Sequence, residues 1–119
     1  GCTDQSRSER TAPAGSAPQT QAGSAWSIQI VETTGTTGFD ISTSTALDSN
    51  GYPHISYGDP AQGTLKYAVW NGPSWASQTL DSTNLVSAGT SLVLDNSGHP
   101  HISYRTRMKG HLKYATNHP

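Results

Sequence analysis

Histidine is the residue type in this chain best suited to chemistry: five of them stand among 119 residues, beside eight carboxylates and one cysteine. His54 and His101 each precede the same Ile-Ser-Tyr run, and His99-Pro100-His101 places two imidazoles on one face of any extended strand, with His111 and His118 close in sequence. Two imidazoles on a face could begin a zinc or copper site. No acidic or cysteine ligand is spaced along the chain to complete one, so neither a metal nor a cofactor is assigned. Catalysis needs one constellation per site, whereas a residue repeated at the same place in successive copies of a motif serves packing. His54 and His101 therefore read as structural, each imidazole bonding a neighbouring strand or turn. Lys66 and Lys113 recur in the same way and read as side chains snorkelling at a sheet edge.

Residues that do not recur are better candidates for binding. Trp70 has Asn117 as its counterpart and is a candidate for stacking on a ligand. The segment Gly58-Asp59-Pro60-Ala61-Gln62-Gly63-Thr64 becomes Arg105-Thr106-Arg107-Met108-Lys109-Gly110-His111 in the second copy. Arg105, Arg107, Lys109 and His111 could together grip a carboxylate, phosphate or sulfate, the arginines by bidentate bonds. No carboxylate pair recurs at a glycosidase-like geometry, and there is no nucleophile elbow, phosphate-cradling glycine loop or basic-aromatic stripe. No catalytic residue is assigned.

The elements that must position these side chains follow from an ungapped repeat. Residues 43–68 return as 90–115 at an offset of 47, with 15 of 26 positions identical. Within one copy the alternation predicts strands at about 42–47, 53–58, 64–70 and 75–81. Asp48-Ser49-Asn50-Gly51 makes the first turn, where aspartate accepts from backbone N–H groups and glycine takes a positive φ. Pro53 opens the next strand where a missing N–H is tolerated. Asp95, Gly98 and Pro100 repeat these roles, and Asn71-Gly72 marks a tight turn before Trp75. Strand 53–58 sends Ile55 and Tyr57 to one face and His54 and Ser56 to the other. A small polar residue such as Ser56 can be buried there when hydrogen-bonded. Tyr57, Tyr67, Tyr104 and Tyr114 read as packing between copies with their hydroxyls bonded at the rim, and Trp26 and Trp75 likewise as packing residues.

A period in the 40s with short β-runs is characteristic of propeller blades. The run Leu47-Asp48-Ser49-Asn50-Gly51-Tyr52-Pro53 followed by a β-segment resembles the first hairpin of NHL-type and related bacterial extracytoplasmic propeller repeats. Pro53-His54-Ile55-Ser56-Tyr57 is similar to repeats of bacterial surface and lipoprotein propellers. The resemblance covers 26–119 and implies a fold rather than an activity. The spacing at Asp48–Gly51 departs from the Asp-box of sialidases. Trp26–Glu32 matches the fourth-strand segment Trp75–Asp81, so the expected order is d, then a-b-c-d, then a-b-c, with the leading d able to complete the trailing a-b-c. The fold class is therefore all-β: a partial β-propeller of two four-stranded, ~47-residue repeats over 25–119, after an unstructured tether over 1–24.

That N-terminal stretch is rich in Ser, Thr, Ala, Gly, Pro and Gln, too polar to offset its ordering entropy. It begins Gly1-Cys2-Thr3, which resembles a bacterial lipoprotein after removal of its signal peptide. The resemblance implies lipidation at Cys2 and, with Thr3 rather than an acidic residue following, sorting to the outer membrane or cell surface. The lipid would be the only membrane contact: no apolar run approaches the ~18 residues of a span, and mean hydropathy is −0.57. Net charge of −1 gives no global field for nucleic acid.

Two blades alone would leave end faces uncovered. If each exposes roughly 400 Å² of apolar surface, the loss is on the order of 10 kcal/mol per face. The expectation is either further blades from the same gene or several chains building one ring. The function expected is a surface-tethered, non-enzymatic module binding glycan or protein partners. The alternative is part of a propeller-fold glycan hydrolase or lyase whose catalytic residues lie in other blades.

Overall fold

The computed structural model describes residues 25–33, 41–86 and 89–119, together with the backbone of 17–19. The described residues form nine strands and no helix: β1 (Ala17–Gln19), β2 (Ile28–Ile30), β3 (Thr43–Leu47), β4 (Pro53–Asp59), β5 (Thr64–Trp70), β6 (Trp75–Asp81), β7 (Ser91–Leu94), β8 (Pro100–Arg105) and β9 (Leu112–Thr116). β3-β4-β5-β6 make one antiparallel sheet and β7-β8-β9 a second, each in sequence order. β1 and β2 form a separate two-stranded ladder.

The repeat in sequence is a repeat in register. Thr45↔Ile55 and Ala46↔His54 in the first sheet become Leu92↔Ile102 and Val93↔His101 in the second. His54↔Val69 becomes His101↔Thr116. Turn chemistry sets this register. Asp48 Oδ1 accepts from the amides of Asn50 and Tyr52 while Gly51 (φ +80°) donates to the Asp48 carbonyl. Asp95, Ser97, Gly98 and His99 repeat those bonds.

The strand matched to β6 pairs differently from expectation. β2 does not complete the β7-β8-β9 sheet; it pairs with β1. The pairs Ala17↔Ile30, Pro18↔Gln29 and Gln19↔Ile28, moved 49 residues along both strands, are Lys66↔Thr79, Tyr67↔Gln78 and Ala68↔Ser77 of the β5–β6 hairpin. β1–β2 is thus a third, partial copy of that hairpin, and part of the stretch expected as tether contributes a strand to it. The remainder of 1–24 lies outside the described residues.

The core lies between the two sheets. Leu65 and Tyr67 of β5 pack against Val86, Leu92, Ile102 and Tyr104, with Ala46, Val69, Leu94 and Ala115 at the margin. Polar bonds fix the approach: Ser44 Oγ accepts from the Leu92 amide (3.0 Å), Ser42 Oγ from the Thr90 amide (3.1 Å), and Ser56 Oγ shares a hydrogen with Thr90 Oγ1 (2.9 Å). Ser56 is fully buried with this bond made, so no orphaned hydroxyl offsets the packing.

Matched residues of the two copies differ sharply in burial. Leu65 is 0% exposed and its counterpart Leu112 82%; Tyr67 is 6% exposed and Tyr114 63%. The first sheet has a neighbour on that face, and the second has none among the described residues. Tyr114 therefore does not pack between copies as expected. Trp26, expected to pack, is 77% exposed.

Candidate functional site

Each copy holds an Asp–His–Tyr chain. His54 Nε2 lies 2.9 Å from Asp48 Oδ2 and its Nδ1 meets the Tyr67 hydroxyl. His101 bridges Asp95 Oδ2, also at 2.9 Å, and Tyr114 in the same way. A neutral imidazole with its proton on Nε2 satisfies both partners, donating to the carboxylate and accepting from the phenol. The turn aspartate is thereby tied to two strands of its sheet. Hydrogen bonds from His54 and the Tyr52 amide hold the Asp48 carboxyl below the ordinary aspartate value. His101 and the His99 amide hold Asp95 well below it. Burial, with the nearby Asp48 charge, pushes Tyr67 up to about 12. The Tyr67 hydroxyl is enclosed in the core, and the same bonds in the second copy mark a device of the fold.

A second constellation crosses from one copy to the next. Glu32, just after β2, accepts from the Tyr57 hydroxyl on β4 and from Lys66 Nζ on β5. Asp81 Oδ2, at the end of β6, accepts from the Tyr104 hydroxyl at 2.5 Å and from Lys113 Nζ at 2.7 Å. Burial raises both carboxyls, but the lysine and tyrosine bonds outweigh it, leaving Glu32 lowered and Asp81 well below the ordinary value. Tyr57 and Tyr104 are pushed far up by burial and by the carboxylate each faces. Lys66 and Lys113 are thus ion-paired across copies rather than simply snorkelling at an edge. Sequence reasoning passed over Glu32 and Asp81. The available signal was an acid six residues after tryptophan in both matched segments, Trp26 to Glu32 and Trp75 to Asp81.

The loop from Arg105 to His111 is held by its backbone. The Arg107 and Met108 amides donate to the carbonyls of Leu85 and Asn84, Thr106 bridges to Val86, and the Thr106 amide donates to the His111 carbonyl. Thr106 is fully buried, and its Oγ1 donates to the Met108 carbonyl while accepting from the His111 amide. Arg105, Arg107, Lys109 and His111 are all exposed, and none of their side chains hydrogen-bonds or ion-pairs with another described residue. Arg105 ends β8, and Arg107, Lys109 and His111 lie on the connection that follows it. Trp70 is not among them. It ends β5 at the opposite edge of the sheets, where its ring lies 5.6 Å from that of Trp75. An open cleft of about 260 Å³ separates Tyr67, Gln78 and Leu80 of the first sheet from Pro100, Ile102 and Ala115 of the second.

At the Trp70 edge the second copy gathers imidazoles. His99 Nδ1 lies 3.6 Å from Asp95 Oδ1, and the His99 and His118 rings meet edge-on at 5.1 Å. An acidic group that sequence spacing did not suggest is thus beside a histidine pair, because the turn folds Asp95 back over His99. Cys2, the lipidation candidate, lies outside the described residues. Comparison with protein-family models, with curated proteins and with solved structures finds no match to this chain.

Proposed function

We propose that this chain is a partial β-propeller, tethered at the cell envelope through lipidated Cys2, that binds glycan or protein partners carrying anionic groups and does so without catalysis. One observation carries the reading. The aspartate, histidine, tyrosine and lysine side chains shared by the copies are all engaged in hydrogen bonds, whereas the non-recurring cations Arg105, Arg107 and Lys109, at the end of β8 and on the anchored connection after it, stand exposed with no bond to another described residue. A connection whose backbone is already hydrogen-bonded has little backbone entropy left to lose on binding, and guanidinium groups suit carboxylate and sulfate.

The blade reading draws support from the register repeat and from the exposed Leu112–Tyr114 face, which matches the face of the first copy that the second copy covers. A further repeat, from the same gene or from another copy of the chain, would fit there. The test is binding of the full chain to a panel of neutral, carboxylated and sulfated glycans and acidic peptides. Acidic members should bind, with affinity falling as salt rises. An R105A/R107A/K109A triple variant should lose at least tenfold. Equal binding to neutral and acidic members, or no effect of the triple variant, would refute the loop as the site.

A further inference from the structure

We propose that Asp95, His99 and His118 form a zinc-binding site present in the second copy of the repeat and absent from the first. The candidate donor atoms of these three residues all lie within 4.8 Å of one another. Two imidazoles and a carboxylate match the three-protein-ligand sets that hold Zn²⁺ with a fourth position left for water or a ligand.

Three features argue for metal over a fortuitous cluster. The first is an orphaned atom: His99 Nδ1 is shielded from solvent and makes no hydrogen bond, and its contact with Asp95 Oδ1 at 3.6 Å is too long to be one. A polar nitrogen left so is destabilising, and a metal–nitrogen bond would remove that penalty. The second is preorganisation. Asp95 Oδ1 is aimed by the amides of Ser97 and His99, while Oδ2 is held by His101 Nε2. A ligand carboxylate hydrogen-bonded by its surroundings is the usual support of a metal centre. The third is the comparison within the chain. The first copy has the same aspartate and bridging histidine, Asp48 and His54, but carries Tyr52 and Asn71 where the second has His99 and His118. Only the two additional imidazoles distinguish the cluster.

Tetrahedral ligands about 2.0–2.1 Å from zinc stand roughly 3.3 Å apart, so the group must close slightly. His118 is exposed and follows β9, so a rotation of its side chain can supply that movement. His101 stays with Asp95 and Tyr114, supporting the carboxylate without ligating.

The experiment is titration of metal-free full chain with Zn²⁺ at neutral pH by calorimetry, repeated with Co²⁺ to read the visible bands of a tetrahedral site. One equivalent should bind with a dissociation constant in the micromolar range or tighter. His99→Tyr and His118→Asn, substitutions that the matching positions of the first copy already carry, should each weaken binding at least tenfold. Both should leave the circular dichroism spectrum unchanged. His111→Gln, on the opposite edge of the sheet, should bind as the unsubstituted chain does. Absence of one-equivalent binding, survival of binding in either of the first two variants, or its loss in His111→Gln would each overturn the assignment.

Discussion

The carboxylate of Asp81 accepts a phenol and an ammonium from the following copy while itself nearly sealed from water, so its charge is needed where it lies. Asp81→Asn keeps the shape and removes the charge, leaving Lys113 facing a neutral amide, and should lower stability by about 2 kcal/mol. The pH dependence has a definite sign. Folding lowers the Asp81, Glu32, Asp48 and Asp95 carboxyls relative to their ordinary values. Their contribution is complete above the unfolded values and is lost as pH falls through the folded ones. Urea midpoints should hold steady above about pH 5 and fall progressively below it. Asp81→Asn should flatten that slope; a slope unchanged in the variant would deny the clamp its role. His54→Gln removes two bonds at a buried position, leaving Asp48 Oδ2 and the Tyr67 hydroxyl without it, and should cost about 1–3 kcal/mol by thermal melting. His101→Gln, beside an exposed tyrosine, should cost less.

At the level of the element, the Gly63 and Gly110 turns test packing against backbone preference. Both glycines have positive φ, +67° and +59°. A Cβ on Gly63 would stand 2.6 Å from Leu85 Cδ2 and 3.3 Å from its Cα, whereas one on Gly110 would meet nothing within 4 Å. Gly110→Ala should therefore cost only the left-handed penalty of about 1–2 kcal/mol, and Gly63→Ala clearly more, read as the difference in melting temperature. Strand limits were legible because turn signals bracket them. β5 and β6 occupy 64–70 and 75–81 as the alternation indicated, with Asn71-Gly72 between. The partner of β2 was not legible, since Ala17-Pro18-Gln19 carries neither alternation nor β-branched residues, and only register reveals it as a hairpin strand. Local sequence marked the loop cations but not the Asp95–His99–His118 cluster, which joins the turn before β8 to the residues after β9.

Across the whole molecule, the burial of Leu65 and the exposure of Leu112 describe one face with and without a neighbour. Covering a leucine and a tyrosine is worth about 2–3 kcal/mol each, enough to favour association through that face. Sedimentation of the full chain should reveal concentration-dependent self-association, and Leu112→Asp should abolish it without unfolding the chain. A monodisperse monomer at high micromolar concentration would remove the basis for this expectation. Leu65→Ala, by contrast, should cost about 2–5 kcal/mol, as expected for a cavity opened in a closed core.

The carboxylate clamps also decide where such a protein can be cut and rejoined. Glu32, just after β2, engages β4 and β5, and Asp81, at the end of β6, engages β8 and β9, each acid reaching into the copy that follows it. A segment excised from β3 to β6 would carry an acid without its lysine and a lysine without its acid. One opened at the Asn71–Ser74 turn, from Trp75 onward, keeps acid, tyrosine and lysine in a single piece. Recombination between related repeats should be tolerated at that turn and penalised in the connection from Asp81 to Thr90, so the exchangeable module is out of phase with the sheet.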